Sequence, residues 1–266
     1  LEPAGVHSGD STAVIPPYSV SEEMLREIEE KSKKLALGLN VKGLLNIQFA
    51  IKDEELFILE ANPRASRTMP FVAKVTGNQI IKAGTLLMLG YSIDEVRNKT
   101  KYLSSSSNKV AIKKAIFPWS RFPAEDTMLG PEMKATGEVL GVGKEFGTAL
   151  NKAYAAAGVE INNKEKGIFV TLSDSEKPNF IKTVNKYLEL GFTLYSTEGT
   201  GKFLKTNGID SVIVGKADDL GQTSLTIIED KLVSLVINTP TYANELSDGW
   251  KIRRLSHETG VAVVSS

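Results

Sequence analysis

The chain has 266 residues, with 32 basic against 32 acidic side chains, 41% hydrophobic residues and no cysteine. The charge balance, even along both halves, argues against a nucleic-acid partner, and the absence of cysteine removes disulfides, thiolate metal sites and cysteine nucleophiles. No apolar run approaches the roughly 18 residues that a membrane span needs, and the opening Leu1-Glu2-Pro3-Ala4-Gly5 is neither a start methionine nor a signal peptide, so the sequence reads as an excised piece of a longer protein.

Residues 1 to 18 are rich in Gly, Ser and Pro and read as loop, ending at Pro16-Pro17. Ser19 or Ser21 then caps a helix whose Leu25, Ile28, Leu35 and Leu39 recur at helical spacing. Leu44 to Ile51 and Leu56 to Ala61, separated by the polar Lys52 to Glu55, predict a β-hairpin. With the turn centred on Glu54, Gln48 falls opposite Glu60 and Asn46 opposite Asn62. Phe57, Leu59 and Ala61 then share one face, and Ile58, Glu60 and Asn62 the other. Opposed side chains have Cβ atoms roughly 5 Å apart, close enough to share a cation.

Residues 72 to 98 read as helical with an interruption at Gly90-Tyr91, and Ser104 to Ser107 as loop. Strand-like pieces and turns occupy 109 to 145. Beyond Asn151 the pattern becomes alternating βα: strand 167–172, helix 176–190 stopped by Gly191, strand 192–197, helix 202–207, strand 211–216 and strand 232–238. The fold class is therefore mixed, α/β and α+β, with a small open parallel α/β sheet at the C-terminal end.

Gln48, Glu60 and Asn62 are hard oxygen donors suited to Mg²⁺, and Arg64 and Arg67 follow within one turn as phosphate clamps. Cation ligands followed by guanidinium groups imply a nucleotide triphosphate. A plain surface ion pair between Glu60 and Arg64 or Arg67 would use the same residue types. In the second domain, Thr197-Glu198-Gly199-Thr200-Gly201-Lys202 lies between a strand and a helix, where free N–H groups and the helix dipole favour a phosphate. It is not a P-loop, since Ser196 stands where the first glycine belongs and Phe203 follows the lysine. A tight turn that merely needs glycines would look alike.

The runs Gly5-Val6-His7-Ser8-Gly9-Asp10-Ser11, Asn46-Ile47-Gln48-Phe49-Ala50, Glu60-Ala61-Asn62-Pro63-Arg64-Ala65-Ser66-Arg67 and the stretch from Leu129-Gly130-Pro131-Glu132-Met133 to Val139 resemble the large chain of carbamoyl phosphate synthetases. The resemblance covers essentially the whole chain and implies the C-terminal part of the second ATP-grasp domain over 1–110, a connecting segment packed on it over 111–150, and a methylglyoxal-synthase-like allosteric domain over 151–266. It further implies that Gln48, Glu60 and Asn62 hold Mg²⁺ or Mn²⁺, that Asn62, Arg64 and Arg67 serve the phosphoryl transfer from ATP to carbamate, and that Gly5, Val6, His7 and Ser8 line the nucleotide. His7, in a glycine loop, is read as a contact or a spectator rather than a general base.

By the same resemblance Thr171, Lys177, Thr197, Thr200, Lys216, Asn238 and Thr239 contact a nucleotide effector such as UMP. Coupling from Thr197 and Thr200 to the phosphate site would run across 109–150. Lys216-Ala217-Asp218-Asp219-Leu220-Gly221 lacks the Gly-Gly-Asp-type motif of methylglyoxal synthases, which argues against lyase activity. Lys114 replaces the acidic residue of ornithine-activated relatives, so ornithine is not expected to activate. Expected partners are a glutaminase small subunit and a second copy through the C-terminal domain, with neither nucleic acid nor membrane, in the cytoplasm. The chain by itself is expected to be inactive. The alternatives are a regulatory effector-binding module only, or another ATP-grasp carboxylate ligase.

Overall fold

The structure, a computed structural model, describes residues 2, 4–101, 109–122, 127–159, 166–239 and 247–265. The Ser104 to Ser107 loop lies outside the described residues. Two compact units emerge: one comprises 3–115 and 138–153, the other 116–137 and 154–266 together with Glu2.

The first unit opens with strand β1 (Ala13–Ile15), preceded by a turn in which the His7 carbonyl accepts from the backbone N–H groups of Asp10 and Ser11. Helix α1 (Glu22–Gly38) starts where the Ser21 side chain accepts from Met24 N, as the sequence predicts. Strands β2 (Asn46–Lys52) and β3 (Glu55–Asn62) form the hairpin. Three helices follow, α2 (Thr68–Thr76), α3 (Ile80–Met88) and α4 (Ile93–Lys99). The expected single interruption at Gly90-Tyr91 is therefore joined by a second at Gly77, whose φ of 71° ends α2. Helix α4 carries a full capping box between Ser92 and Glu95.

Strands β4 (Val110–Ile116) and β5 (Gly137–Gly143) complete a three-stranded sheet in the order β1-β4-β5. Helix α5 (Phe146–Ala156), which the sequence reading did not anticipate, lies against β5. Gly141 and Gly143 permit this approach: a Cβ at Gly141 would sit 2.5 Å from Ala153 N, and one at Gly143 2.7 Å from Ala149 N. Ile112, Ala149 and Ala153 are wholly buried where the two meet.

The second unit is a five-stranded parallel sheet built from β6 (Gly167–Thr171), β7 (Leu194–Thr197), β8 (Val212–Val214), β9 (Val233–Asn238) and β10 (Ala262–Val264), in the order β10-β9-β6-β7-β8. Helices α6 (Lys177–Glu189) and α7 (Glu198–Thr206) cover one face, where Val184 and Leu204 meet Ile168, Val170, Leu235 and Ile237. Helices α8 (Thr226–Glu229) and α9 (Asp248–Thr259) cover the other, where Ile227, Ile228 and Ile252 meet Phe169 and Val236. Burial on both faces explains why β6 and β9 are dense in apolar residues, with Ser234 the one polar residue inside β9. Helix α7 begins at Glu198, four residues before the expected start, because Thr197 already has the extended backbone of a cap. A 3-10 turn (Trp119–Arg121) packs on α9, and Arg254 holds it by donating to the Trp119 and Phe122 carbonyls.

Candidate functional sites

In the hairpin, Asp53 and Glu54 both have positive φ, at 50° and 63°, and form a two-residue turn that pairs Lys52 with Glu55 and Phe49 with Ile58. Continued without a break, that register would oppose Gln48 to Leu59 and turn Glu60 to the other face. A bulge at this point absorbs one residue, so Gln48 pairs with Glu60 and Asn46 with Asn62. Directly opposed residues point to the same side of a ladder, so all four oxygen-bearing side chains share one face.

The expected faces need correction nearer the turn. Phe57 pairs with Ala50 and lies on the Gln48 side, whereas Ile58 pairs with Phe49 and lies on the opposite side from Glu60. The sequence-based alternation assumed an unbroken period of two, which the bulge resets.

Beyond β3 the Arg64 N–H donates to the Asn62 carbonyl at 2.8 Å, so the chain turns sharply at Pro63. Arg64 is exposed and its Nη1 donates to the Ala65 carbonyl, while Arg67 is exposed at the start of α2. His7 Nδ1 accepts from Gly9 N at 3.0 Å, which gives the ring a role in shaping the Gly5–Ser8 loop. A Cβ at Gly5 would meet nothing within 4 Å, so the loop leaves open space there. Among the described residues, no group of three His, Cys, Asp or Glu side chains forms a metal cluster. The donor face of the hairpin combines one carboxylate with amides, a set suited to a hard cation that keeps water and phosphate in its shell.

In the second unit the strand order reverses between β6 and β9, which makes their carboxyl ends the crevice of a doubly wound sheet. Thr171 ends β6 directly beside Asn238, which ends β9. Residues distant in sequence thereby meet at one mouth. Over the carboxyl ends of β6, β7 and β8 opens a cavity of about 630 Å³, lined by Thr171, Thr197, Glu198, Gly199 and Lys202 from the first strands and α7, by Ile213 and Val214 of β8 with Gly215, Lys216, Asp219 and Ser224 beyond it, and by Asp248, Gly249 and Ile252 of α9. That volume suits a small-molecule ligand.

Of the residues expected to contact an effector, Thr171, Thr197 and Lys216 line this cavity. Thr200 is buried behind it: its Oγ1 accepts from Leu172 N at 3.1 Å and from Thr197 Oγ1 at 3.3 Å, which locks the start of α7 to β6. Asn238 accepts from the buried Arg253 through Oδ1 at 2.8 Å, and Thr239 Oγ1 accepts from Ser173 N. Lys177 does not line the cavity; its ammonium pairs with Asp174 at 2.5 Å.

Sequence reasoning did not single out Asp219, Ser224, Asp248 or Gly249, because their placement depends on the loop after β8 and on α9. Asp219 Oδ2 accepts from Lys216 N at 2.7 Å and fixes that loop. Glu198 and Lys202, inside the quoted glycine motif, form an ion pair at 2.6 Å. The Glu198 carboxyl is held below the usual carboxylate range, first by the hydrogen bond from Lys202, then by the charge of Lys202 and, more weakly, of Lys216.

Two family models match. Residues 2–96 fit the carbamoyl-phosphate synthase L chain, ATP binding domain, and residues 179–265 fit the MGS-like domain. The chain thus joins a match to a carbamoyl-phosphate synthase ATP-binding domain to a match to an MGS-like domain. The C-terminal section of a carbamoyl phosphate synthase large chain from Aquifex aeolicus is 42% identical over 96% of this chain and 50% of its own length. The corresponding section from Methanocaldococcus jannaschii is 39% identical over 100% and 44%. The large chain from Archaeoglobus fulgidus is 42% identical over 100% and 24%. The chain therefore belongs to the carbamoyl phosphate synthase large-chain family and spans half or less of the length of these relatives. Among solved structures, a single-chain, multi-domain long-chain acyl-CoA carboxylase matches at a TM-score of 0.42 and 17% identity, covering 55% of this chain and 18% of that one, too little to bear on fold or function. No helix among the described residues is long and apolar enough to cross a membrane.

Proposed function

We propose that this chain is the portion of a carbamoyl phosphate synthase large chain that contributes metal and phosphate ligands to the carbamate-phosphorylating ATP site and carries the nucleotide-effector domain. On this reading 1–110 form the end of the ATP-grasp domain, 151–266 the allosteric domain, and 111–150 the link between them. The whole enzyme works in the cytoplasm with a glutaminase small subunit that supplies ammonia. The observation that carries the catalytic half is the opposition of Gln48 and Glu60, set by the hairpin bulge.

Gln48, Glu60 and Asn62 would hold Mg²⁺ or Mn²⁺, which neutralises charge on the ATP phosphates. Arg64 and Arg67 supply guanidinium groups just past the same strand and orient the transferred phosphoryl group. Phosphoryl transfer needs positioning and charge neutralisation more than covalent help, so no nucleophilic side chain is required. Gly5 to Ser8 keep the chain low beside the nucleotide. The experiment is a Mn²⁺ titration of the chain, followed by electron paramagnetic resonance with and without ATP. Glu60→Gln and Gln48→Ala should weaken Mn²⁺ uptake at least tenfold, on the basis that each lost ligand is worth about 1.4 kcal/mol or more. Equal uptake by wild type and Glu60→Gln refutes the assignment.

The effector half rests on the cavity at the carboxyl ends of β6, β7 and β8, with Thr171, Thr197 and Lys216 on its wall. Thr200, Asn238 and Thr239 support that wall, and Lys177 stands outside it. Thermal-shift titrations with UMP, IMP and phosphoribosyl pyrophosphate test it, since a ligand that prefers the folded state must raise Tm. Silence from all three at saturating concentration counts against the site.

A further inference from the structure

The cavity wall carries an ion pair of its own. Glu198 projects from the first turn of α7, where an anion is favoured by the free N–H groups, and lies within 2.6 Å of the Lys202 ammonium. Both residues line the cavity, and so does Lys216, whose charge also acts on the Glu198 carboxyl. One carboxylate therefore already answers the Lys202 ammonium and a helix N-terminus, beside a second ammonium on the same cavity wall. A second observation in the same cavity points to a ligand. Ser224, 1% exposed, lines the same cavity, and its hydroxyl oxygen has no partner among the described residues. An unanswered buried hydroxyl costs free energy unless something polar reaches it.

We propose that Glu198 is a built-in counter-anion of the cavity's phosphate subsite, displaced from Lys202 when a phosphate-bearing ligand enters and engages Lys202 and Lys216, and that Ser224 donates to that ligand. This rests on the effector site proposed above and adds the residues that set its affinity. The ligand brings a dianionic phosphate that outcompetes a single carboxylate for the Lys202 ammonium. Glu198 thereby lowers affinity for every phosphate ligand and rejects weak anions, while Lys202 is a phosphate ligand that becomes available only on exchange.

The test uses the full chain and titrates inorganic phosphate, a nucleoside monophosphate and the matching uncharged nucleoside into wild type, Glu198→Gln, Lys202→Gln and Ser224→Ala by calorimetry at low salt. Glu198 and Lys202 side chains are 69% and 71% exposed, so their variants fold. Glu198→Gln should bind both phosphate ligands roughly twofold to fivefold more tightly, matching the loss of one exposed charge pair, with the nucleoside unchanged. Lys202→Gln should bind phosphate ligands more weakly. Ser224→Ala should bind them at least threefold more weakly, as for one lost hydrogen bond of about average strength, while its ligand-free Tm holds or rises, because the orphan hydroxyl is gone. Wild-type binding that Glu198→Gln leaves equal or weakens overturns the counter-anion. No phosphate binding by wild type or Glu198→Gln overturns the effector site itself. A drop in ligand-free Tm for Ser224→Ala without loss of affinity makes that hydroxyl structural.

Discussion

Arg254 donates through Nη2 to the Trp119 carbonyl at 2.8 Å, and its Nη1 reaches the Phe122 carbonyl three residues on at 2.7 Å. A side chain of α9 thus carries the backbone polar groups of the 3-10 turn, with Glu258 accepting from its Nε. Arg254→Ala should cost roughly 2–4 kcal/mol, since two carbonyls lose their donor and the buried stem leaves a gap. Urea denaturation measures this. Arg97→Ala, on a side chain 76% exposed, should stay within about 0.5 kcal/mol of wild type.

Glycine tolerance should divide sharply between two positions. Gly141→Ala pushes a methyl group into the α5 backbone and should destabilise by about 1–3 kcal/mol or more, the usual range for overpacking. Gly5→Ala meets open space and should leave stability unchanged. Thermal melts of the two variants check the contrast, and equal melting would mean that α5 does not lie on β5 as described.

Alkaline pH should weaken the fold through Tyr154. Burial first, and then the neighbouring Glu2 charge, raise its phenol above the ordinary value of 10.0. The unfolded chain therefore loses this proton before the folded one does. The stabilisation is complete below pH 10 and falls as pH rises toward the folded value. Burial raises Tyr187 as well, so ultraviolet titration should find two late-titrating tyrosines, of which one disappears in Tyr154→Phe and titrates earlier in Glu2→Gln.

Ornithine should not bind usefully. Lys114, on β4, is the residue that the resemblance sets where ornithine-activated relatives have an acidic side chain, and an ammonium there would repel another ammonium. Calorimetry should find no heat of binding with wild type, and Lys114→Glu should gain some. Binding by wild type with useful affinity refutes the reading.

The βα alternation after residue 166 was legible because parallel strands buried on both faces are dense apolar runs, as β6 and β9 are. The pairing of Gln48 with Glu60 was legible too, although the assumed symmetric turn was not what produces it. The real turn is one residue shorter and the bulge restores the match. No residue pattern distinguishes those two routes, since a bulge at Leu59 needs no special residue there.

Helix α9 went unread for a different reason. Ser247 caps it and Gly260, at φ 74°, ends it, so both boundary signals were present. Its buried face, however, includes Arg253, Arg254 and Ser256, which disguise the apolar stripe. With α9 missing, Asp248 and Gly249 could not be assigned to the cavity. Helix α5 was hidden in the same way by its small residues, because Ala149 and Ala153 pack on glycines and leave no large hydrophobic signature.

The reversal of strand order between β6 and β9 divides responsibility at the cavity rim. Each crossover delivers its own short stretch, with hydroxyls from one, opposite charges from the next and a helix start from the last, while of the two apolar layers only Val214 and Ile252 of one reach the cavity wall. Ligand preference can therefore be rewritten one rim segment at a time, much as single keys are recut without touching the lock's frame.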